Sequence, residues 1–267
     1  WVADGRDVYA RSLVTADWQS GTVGAVPVAA TALHVDAGGN LFAAGRKGIA
    51  VREADFGLWK TFAVTLPDPP RAVAASPDRR VFWTSPTALA FLRLPGGEQG
   101  TVPLPAGYAG ANVRFQALAV ALDGGLWVGT DHGLFRLAPG AQTLDNAPVL
   151  ADPITALYLD PTDGLLWYTT REHAGRYSPL RGELGRTALP PPWKDDPVVA
   201  VRAAGHDQLL LATRGGRLAC LRAATAQLRE VTALPSRAVR RLALDAQGTL
   251  WAVTDDLGLV GVPLVCR

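Results

Sequence analysis

The side chains of this chain that are best suited to chemistry are histidines and acidic residues in two corresponding turns. His132 follows Asp131, and His173 follows Glu172 further along the chain. Imidazole and carboxylate groups act as proton donors and acceptors in enzymes, and they also bind divalent metals. Neither pair has a spacing that defines a set of metal ligands. We therefore expect no catalytic residue, no metal and no cofactor, and we keep a histidine–acid site as an alternative.

Composition and motifs exclude several classes of function. The sequence contains no GxxxxGK[S/T] phosphate loop, no GxGxxG motif and no GxSxG motif. The net charge is +2, which gives no reason to expect binding to nucleic acid or to an anionic membrane. No apolar run reaches the length of about 18 residues that a membrane-spanning helix needs. Because the chain begins at Trp1 without a start Met or a signal peptide, we interpret it as part of a longer protein.

The two cysteines, Cys220 and Cys266, are far apart in the sequence and form no CxxC pair. Zinc binding and dithiol redox chemistry are therefore not indicated. The cysteines could form one disulfide in an oxidising compartment. The pattern favours two buried free thiols.

A repeat of about 40 residues must position these side chains. Its clearest copy, residues 117–137, reads ALAVALDGGLWVGTDHGLFRL, and it recurs at residues 156–177 and again from Leu242. Each copy has an apolar run, an Asp/Gly turn, a second run with a large anchor residue, a polar turn and a third run, which is typical of antiparallel strands. The aligned anchors are Trp1, Phe42, Phe82, Trp127, Trp167, Leu210 and Trp251.

Repeats of four short strands at this length are typical of β-propellers. One four-stranded sheet cannot bury both of its faces, whereas sheets stacked face to face can. We therefore predict an all-β protein, a single β-propeller domain over residues 1–267. Its most favoured form has seven blades of four antiparallel strands, and six blades is the alternative. The first repeat lacks its innermost strand and the last lacks its outermost strand.

Loops at one end of the blades form the predicted binding site. In this architecture the loops between the second and third strands share an end with the loops that lead to the next blade, and function often resides on such loops. Arginines and aromatic rings there suit an anionic or sugar-like ligand, because guanidinium binds carboxylates bidentately and rings stack on flat faces. The predicted ligand-binding residues are Arg46, Lys47, Arg71, Tyr108, Asp131, His132, Arg171, His173, Trp193 and Arg214.

Trp193 has two interpretations. It stands in the loop PPPWKDDP, outside any strand pattern. An exposed, rigidly held indole would indicate recognition of a ligand or partner. Alternatively, the ring folds over the edge of a blade and covers apolar surface, and this second interpretation is slightly favoured.

The segment LWVGTDHGL at residues 126–134 resembles the repeat of two-component regulator propellers. The segment at residues 234–259 is similar to the same repeat. This resemblance implies a periplasmic or extracellular sensing domain of a bacterial signalling receptor, without chemistry of its own. Residues 166–190 are also similar to a blade of the streptogramin (virginiamycin B) lyases. That second resemblance implies an enzyme that uses histidines, acidic residues and magnesium, although the catalytic residues of that family do not match positions in this sequence.

The function predicted from these observations is a non-catalytic sensor propeller that binds a small molecule or a protein at its loop end. Its expected location is the periplasm or the extracellular space. A homodimer formed through the parent receptor is compatible with this prediction. Two alternatives stay open. One is a lyase-like enzyme with a histidine–acid site, and the other is a structural or assembly scaffold.

Overall fold

The computed structural model describes residues 1–3, 8–11, 17–20, 28–54, 57–64, 68–205, 207–231, 234–244, 249–263 and 266. Within these residues the strands form seven antiparallel sheets of three or four strands, in which neighbouring strands follow one another along the chain. Helical structure in the same residues is limited to short turns, which are α1 (Pro191–Lys194) and 3-10 turns at Ala106–Tyr108 and Ala223–Thr225.

The first four sheets contain fourteen strands in chain order. The first sheet consists of β1 (Val2–Ala3), β2 (Val8–Arg11) and β3 (Trp18–Ser20). The second consists of β4 (Ala30–Val35), β5 (Leu41–Gly45), β6 (Gly48–Arg52) and β7 (Trp59–Phe62). The third consists of β8 (Ala72–Ala75), β9 (Arg80–Thr84), β10 (Leu89–Arg93) and β11 (Glu98–Val102). The fourth consists of β12 (Phe115–Val120), β13 (Leu126–Thr130) and β14 (Gly133–Leu137).

The remaining three sheets follow the same order. The fifth consists of β15 (Ala156–Leu159), β16 (Leu166–Thr169), β17 (His173–Ser178) and β18 (Gly182–Ala188). The sixth consists of β19 (Val198–Gly205), β20 (Gln208–Thr213), β21 (Leu218–Arg222) and β22 (Gln227–Val231). The seventh consists of β23 (Val239–Leu244), β24 (Thr249–Thr254) and β25 (Gly258–Pro263).

The chain divides into two compact units. The first unit contains residues 1–130 and 135–148, and within it the first strands β1, β4, β8 and β12 pack against one another in sequence. The second unit contains residues 131–134 and 149–267, and within it β15, β19 and β23 pack in the same way. Successive antiparallel sheets that contact through their first strands are the blades of a β-propeller. The predicted fold is therefore confirmed, whereas the assignment of residues 1–267 to one domain stays a prediction.

The anchors explain why these repeats fold as blades. Six of the seven sheets have their predicted anchor within the second strand. Successive residues of a strand point to opposite faces of its sheet, so alternate residues of β20 pack against different neighbouring sheets. Leu209 and Leu211 belong to the apolar layer that contains Trp167, while Leu210 belongs to the next layer. Trp1 differs, because it precedes β1 and is 43% exposed. Six sheets thus have the predicted blade pattern.

A disulfide joins Cys220 in β21 to Cys266, with their Cα atoms 5.6 Å apart. The prediction of two free thiols is therefore wrong. Both residues pack into the apolar layer of Leu242 and Leu250, and stacking of two sheets brings them together across a sequence separation of 46. Among the described residues, no helix is long and apolar enough to cross a membrane.

Candidate functional site

Two kinds of loop meet at one end of the sheets, as the repeat predicts. Loops between second and third strands hydrogen-bond to the loops that enter the next sheet. In the first unit the amide of Phe115, at the start of the fourth sheet, donates to the carbonyl of Pro86, in the loop between β9 and β10, at 3.2 Å. In the second unit the amide of Leu189 donates to Glu172 at 2.7 Å, and that of Leu234 donates to Gly216 at 2.8 Å. We call this end the loop end and the other the turn end.

Four of the predicted ligand-binding residues lie in the first unit. Arg46 and Lys47 form the exposed turn between β5 and β6. Arg71 is also exposed, and its Nη1 lies 3.4 Å from Oε1 of Gln116. Tyr108 is half-buried, and its ring meets the buried Phe135 edge to face with centroids 5.1 Å apart. The ring of Tyr108 thus packs on the core on at least one side.

The histidine–acid pairs lie in the second unit and are engaged in local contacts. Nδ1 of His132 lies 2.8 Å from Oδ1 of Asp131. Glu172 accepts a hydrogen bond from Nζ of Lys194 at 2.9 Å, which lowers the pKa of its carboxyl. His173 begins β17 and is half-buried. Over the described ranges, no three His, Cys, Asp or Glu side chains are grouped closely enough to hold a metal.

Trp193 is fully buried, so its side chain is not available to a ligand. It lies in α1 and packs with Trp167 and Val201 in the layer between the fifth and sixth sheets. Its Nε1 donates to Oε1 of Glu230 on β22 at 2.6 Å. Of the two interpretations, the one in which the ring covers apolar surface is correct, and its inclusion among the ligand-binding residues is not supported.

Three arginines of the second unit extend from the loop end into solvent: Arg171, Arg214 and Arg237. In the part of the chain that the structure describes, their side chains make no hydrogen bond or ion pair. The backbone beneath Arg214 is held on both sides, because its amide donates to Pro197 at 3.1 Å and its carbonyl accepts from Val239 at 2.8 Å. The side chain of Arg214 therefore extends from a backbone that is hydrogen-bonded on both sides.

Asp196 organises this loop and was not found from the sequence. Its carboxylate accepts hydrogen bonds from Oγ1 of Thr213 and from the amide of Gly215, both at 2.6 Å. The next residue, Gly216, has φ +88°, and a Cβ there would lie 1.9 Å from the carbonyl oxygen of Ser236. Glycine is the residue that such a backbone accepts. The sequence KDDP shows two adjacent acids but not which one turns inward.

At the turn end, arginines have partners. Nη1 of Arg176 lies 3.2 Å from Oδ1 of Asp207, and its guanidinium lies 5.2 Å from the centre of the Trp167 ring. This pair borders a cleft of about 290 Å³ lined by Asp160, Asp163, Trp167, Arg176, Asp207, Gln208 and Ala224. Related groups occur in the first unit: Arg136, on a third strand, lies over Trp127 and pairs with Asp123, while Arg80 lies over Phe82 of its own strand and pairs with Asp78.

The fold and these loops define a β-propeller with a polar loop end. No protein-family profile matches the chain, and no curated protein does so. Among solved structures it is similar to virginiamycin B lyase from Staphylococcus aureus, with a TM-score of 0.64 and 14% identity over 88% of this chain and 84% of that one.

A second similar structure is the extracellular domain of BT4673 from B. thetaiotaomicron, a protein assigned to the one-component systems. The TM-score is 0.66 and the identity 17%, over 84% of this chain and 31% of that one. A third is YCF48 bound to D1 peptide, with a TM-score of 0.65 and 12% identity over 95% of this chain and 84% of that one. At these identities the similarities show the fold alone.

Proposed function

We propose that this chain is a non-catalytic binding propeller, the extracytoplasmic input domain of a bacterial signalling receptor. It binds an anionic small molecule or an acidic protein segment at the loop end. The observation that carries this proposal is the set of exposed arginines without side-chain partners in the described structure, Arg171, Arg214 and Arg237.

Preorganisation supports a binding role for these arginines. The loops that bear Arg171 and Arg214 are tied to the neighbouring loops by backbone hydrogen bonds. A ligand therefore need not order the backbone, which reduces the entropic cost of binding. A guanidinium also binds carboxylate or phosphate oxygens with two parallel hydrogen bonds.

The chemistry of the loop end favours binding over catalysis. The carboxylates of Asp196 and Glu172 already accept hydrogen bonds within the protein. His132 is paired with Asp131 on the surface. A general acid or base needs a side chain free to exchange a proton with substrate. Asp196 and Glu172 instead connect segments of neighbouring loops.

The disulfide supports an extracytoplasmic location. Disulfides persist in oxidising compartments such as the periplasm and are rare in the reducing cytoplasm. The Cys220–Cys266 bond is therefore better suited to the periplasm or the extracellular space. The similar structure from B. thetaiotaomicron is also that of an extracellular domain.

Binding to anionic compounds tests the proposal. We would screen dicarboxylates, sugar acids and sugar phosphates by thermal shift and measure affinities by calorimetry. Each of the variants Arg171→Gln, Arg214→Gln and Arg237→Gln is expected to weaken binding by about tenfold, the loss of one charge-assisted hydrogen bond. Arg222→Gln, an exposed arginine at the end of β21, is the matched control.

Three results would contradict the proposal. The first is a triple variant of Arg171, Arg214 and Arg237 that binds as tightly as the wild type. The second is turnover of quinupristin, the compound present in one similar lyase structure, because it would establish the enzymatic alternative. The third is hydrogen-exchange protection by a partner along the outer strands alone, which would favour the scaffold.

A further inference from the structure

Arg202 is a large cationic residue at a position where several sheets have alanine. It lies on β19 directly opposite Leu210, the anchor of the sixth sheet. The residues opposite the anchors of the third, fourth and seventh sheets are Ala74, Ala119 and Ala243. The corresponding residue of the fifth sheet is Tyr158, opposite Trp167. Arg202 and Tyr158 therefore share one register on neighbouring first strands of the second unit.

The side chain of Arg202 is half-buried and has no acidic partner among the described residues. Its Nη1 donates to the carbonyl of Val201 at 2.8 Å, and its central carbon lies 5.7 Å from the centre of the Tyr158 ring. Within the described residues no carboxylate forms an ion pair with it. Burial lowers the pKa of Arg202, and only the nearby Tyr158 opposes this effect. A guanidinium has five N–H donors, so most of its hydrogen-bonding capacity remains unused.

The hydroxyl of Tyr158 supplies a second donor beside it. Burial raises the pKa of Tyr158, and the charge of Asp160 raises it further, which keeps the phenol protonated. The charge of Arg202 and the backbone of Ala203 act in the opposite direction and do not outweigh burial. The O–H proton itself is left to donate. Asp160 is turned towards its own loop, where Oδ1 accepts from the amide and the hydroxyl of Thr162.

We propose that Arg202 and Tyr158 form a second binding site, which takes the oxyanion group of a small molecule, either a carboxylate or a phosphoryl group. A partly desolvated charge without a counter-ion is unfavourable, and a bound oxyanion would neutralise it and accept the remaining hydrogen bonds. The site uses none of the loop-end arginines, so it stands whether or not the loop end binds a ligand.

Titration with inorganic phosphate and with succinate tests the site. Both are measured by calorimetry at constant ionic strength, with chloride as the control anion. The wild type is expected to bind at least one of them saturably, and the better one identifies the group as phosphoryl or carboxylate. Arg202→Gln should weaken that binding by about tenfold or more, the loss of a charge-assisted pair of hydrogen bonds. The control Arg222→Gln should change it by less than about twofold.

Tyr158→Phe provides an independent arm if Arg202→Gln does not fold. It keeps the ring under the guanidinium and removes the hydroxyl, so binding should weaken by about threefold to tenfold. The proposal is overturned if neither anion binds. It is also overturned if binding is unchanged in Arg202→Gln or, failing that variant, in Tyr158→Phe. If Arg214→Gln abolished binding while Arg202→Gln and Tyr158→Phe did not, the anion would bind at the loop end, and this result would also overturn the proposal.

Discussion

At the turn end of three sheets an arginine lies over the aromatic anchor and pairs with an aspartate, and in two of them, with Arg136 and Arg176, the arginine is on the neighbouring third strand. At the loop end of the second unit, Arg171, Arg214 and Arg237 extend into solvent, and within the described residues their side chains have no such partners, whereas Arg240 there pairs with Asp255. Arg176 and Arg171 illustrate the difference within one sheet, since they lie only one strand length apart. Arg176 belongs to the packing of its sheets, while Arg171 is available for binding. Both residues are arginines, so residue type alone does not distinguish a packing role from a binding role. The distinction is whether the arginine faces the anchor from a strand or lies in a loop.

The contrast has a physical origin. A third-strand residue that directly faces the anchor is placed on its ring by strand pairing, as Arg176 is on Trp167. The Asp of the adjacent turn then neutralises the charge. A loop residue has no such cross-strand partner, so its side chain is directed by the turn alone. The predictions below test this distinction, beginning with the largest expected effect.

Replacing Trp193 with Ala tests whether a loop-end residue can be structural. Removing a fully buried indole should lower the free energy of unfolding by about 3–5 kcal/mol, measured by urea denaturation. The adjacent exposed Lys194→Ala serves as the control and should cost less than about 1 kcal/mol. A loss below about 1 kcal/mol for Trp193→Ala would contradict the burial of this ring.

Replacing Asp196 with Ala tests whether the loop end is held rigidly. The variant loses two charge-assisted hydrogen bonds and should be destabilised by about 1.5–3 kcal/mol. Its neighbour Asp195 is exposed, and Asp195→Ala should change the stability by no more than about 0.5 kcal/mol. Equal effects of the two substitutions would show that Asp196 does not organise the loop.

The paired variants Arg176→Gln and Arg171→Gln test the comparison itself. Arg176→Gln should lose about 1 kcal/mol of stability through its ring contact and its partly exposed ion pair, and leave ligand affinity unchanged. Arg171→Gln should leave stability within about 0.5 kcal/mol and reduce ligand affinity. Denaturation and calorimetry on both proteins measure these effects. The reverse pattern would abolish the distinction between the two ends.

Acid titration provides the smallest expected effect. Burial raises the pKa of Asp78, but hydrogen bonds from Ser76 and the charge of Arg80 outweigh it, so the pKa is lowered below 3.8. A carboxyl with a lowered pKa stabilises the fold above its unfolded pKa, and this contribution is lost as the pH falls through the folded value. The stability difference between the wild type and Asp78→Asn should therefore be largest near neutral pH and shrink below about pH 4. A difference independent of pH would refute this role.

The sequence predicted the parts of the molecule that depend on local pattern. The repeat located six anchors within second strands and correctly brought the two kinds of loop to one end. It did not predict the Cys220–Cys266 bond, because the two thiols meet through the stacking of separate sheets. It did not decide the position of Trp193, which depends on the apolar gap between two sheets. The register that places Arg202 beside Tyr158 likewise requires the strand pairing of both sheets.

The disulfide has a consequence for the unfolding of the last repeat. In stacked repeats each unit is held by contacts with its neighbours, so one unit can open before the others. The Cys220–Cys266 bond ties the chain after β25 back to β21 in the preceding sheet. The segment that holds Cys266 therefore remains tethered to β21 when the noncovalent contacts of the seventh sheet open, and those contacts re-form as an intramolecular event.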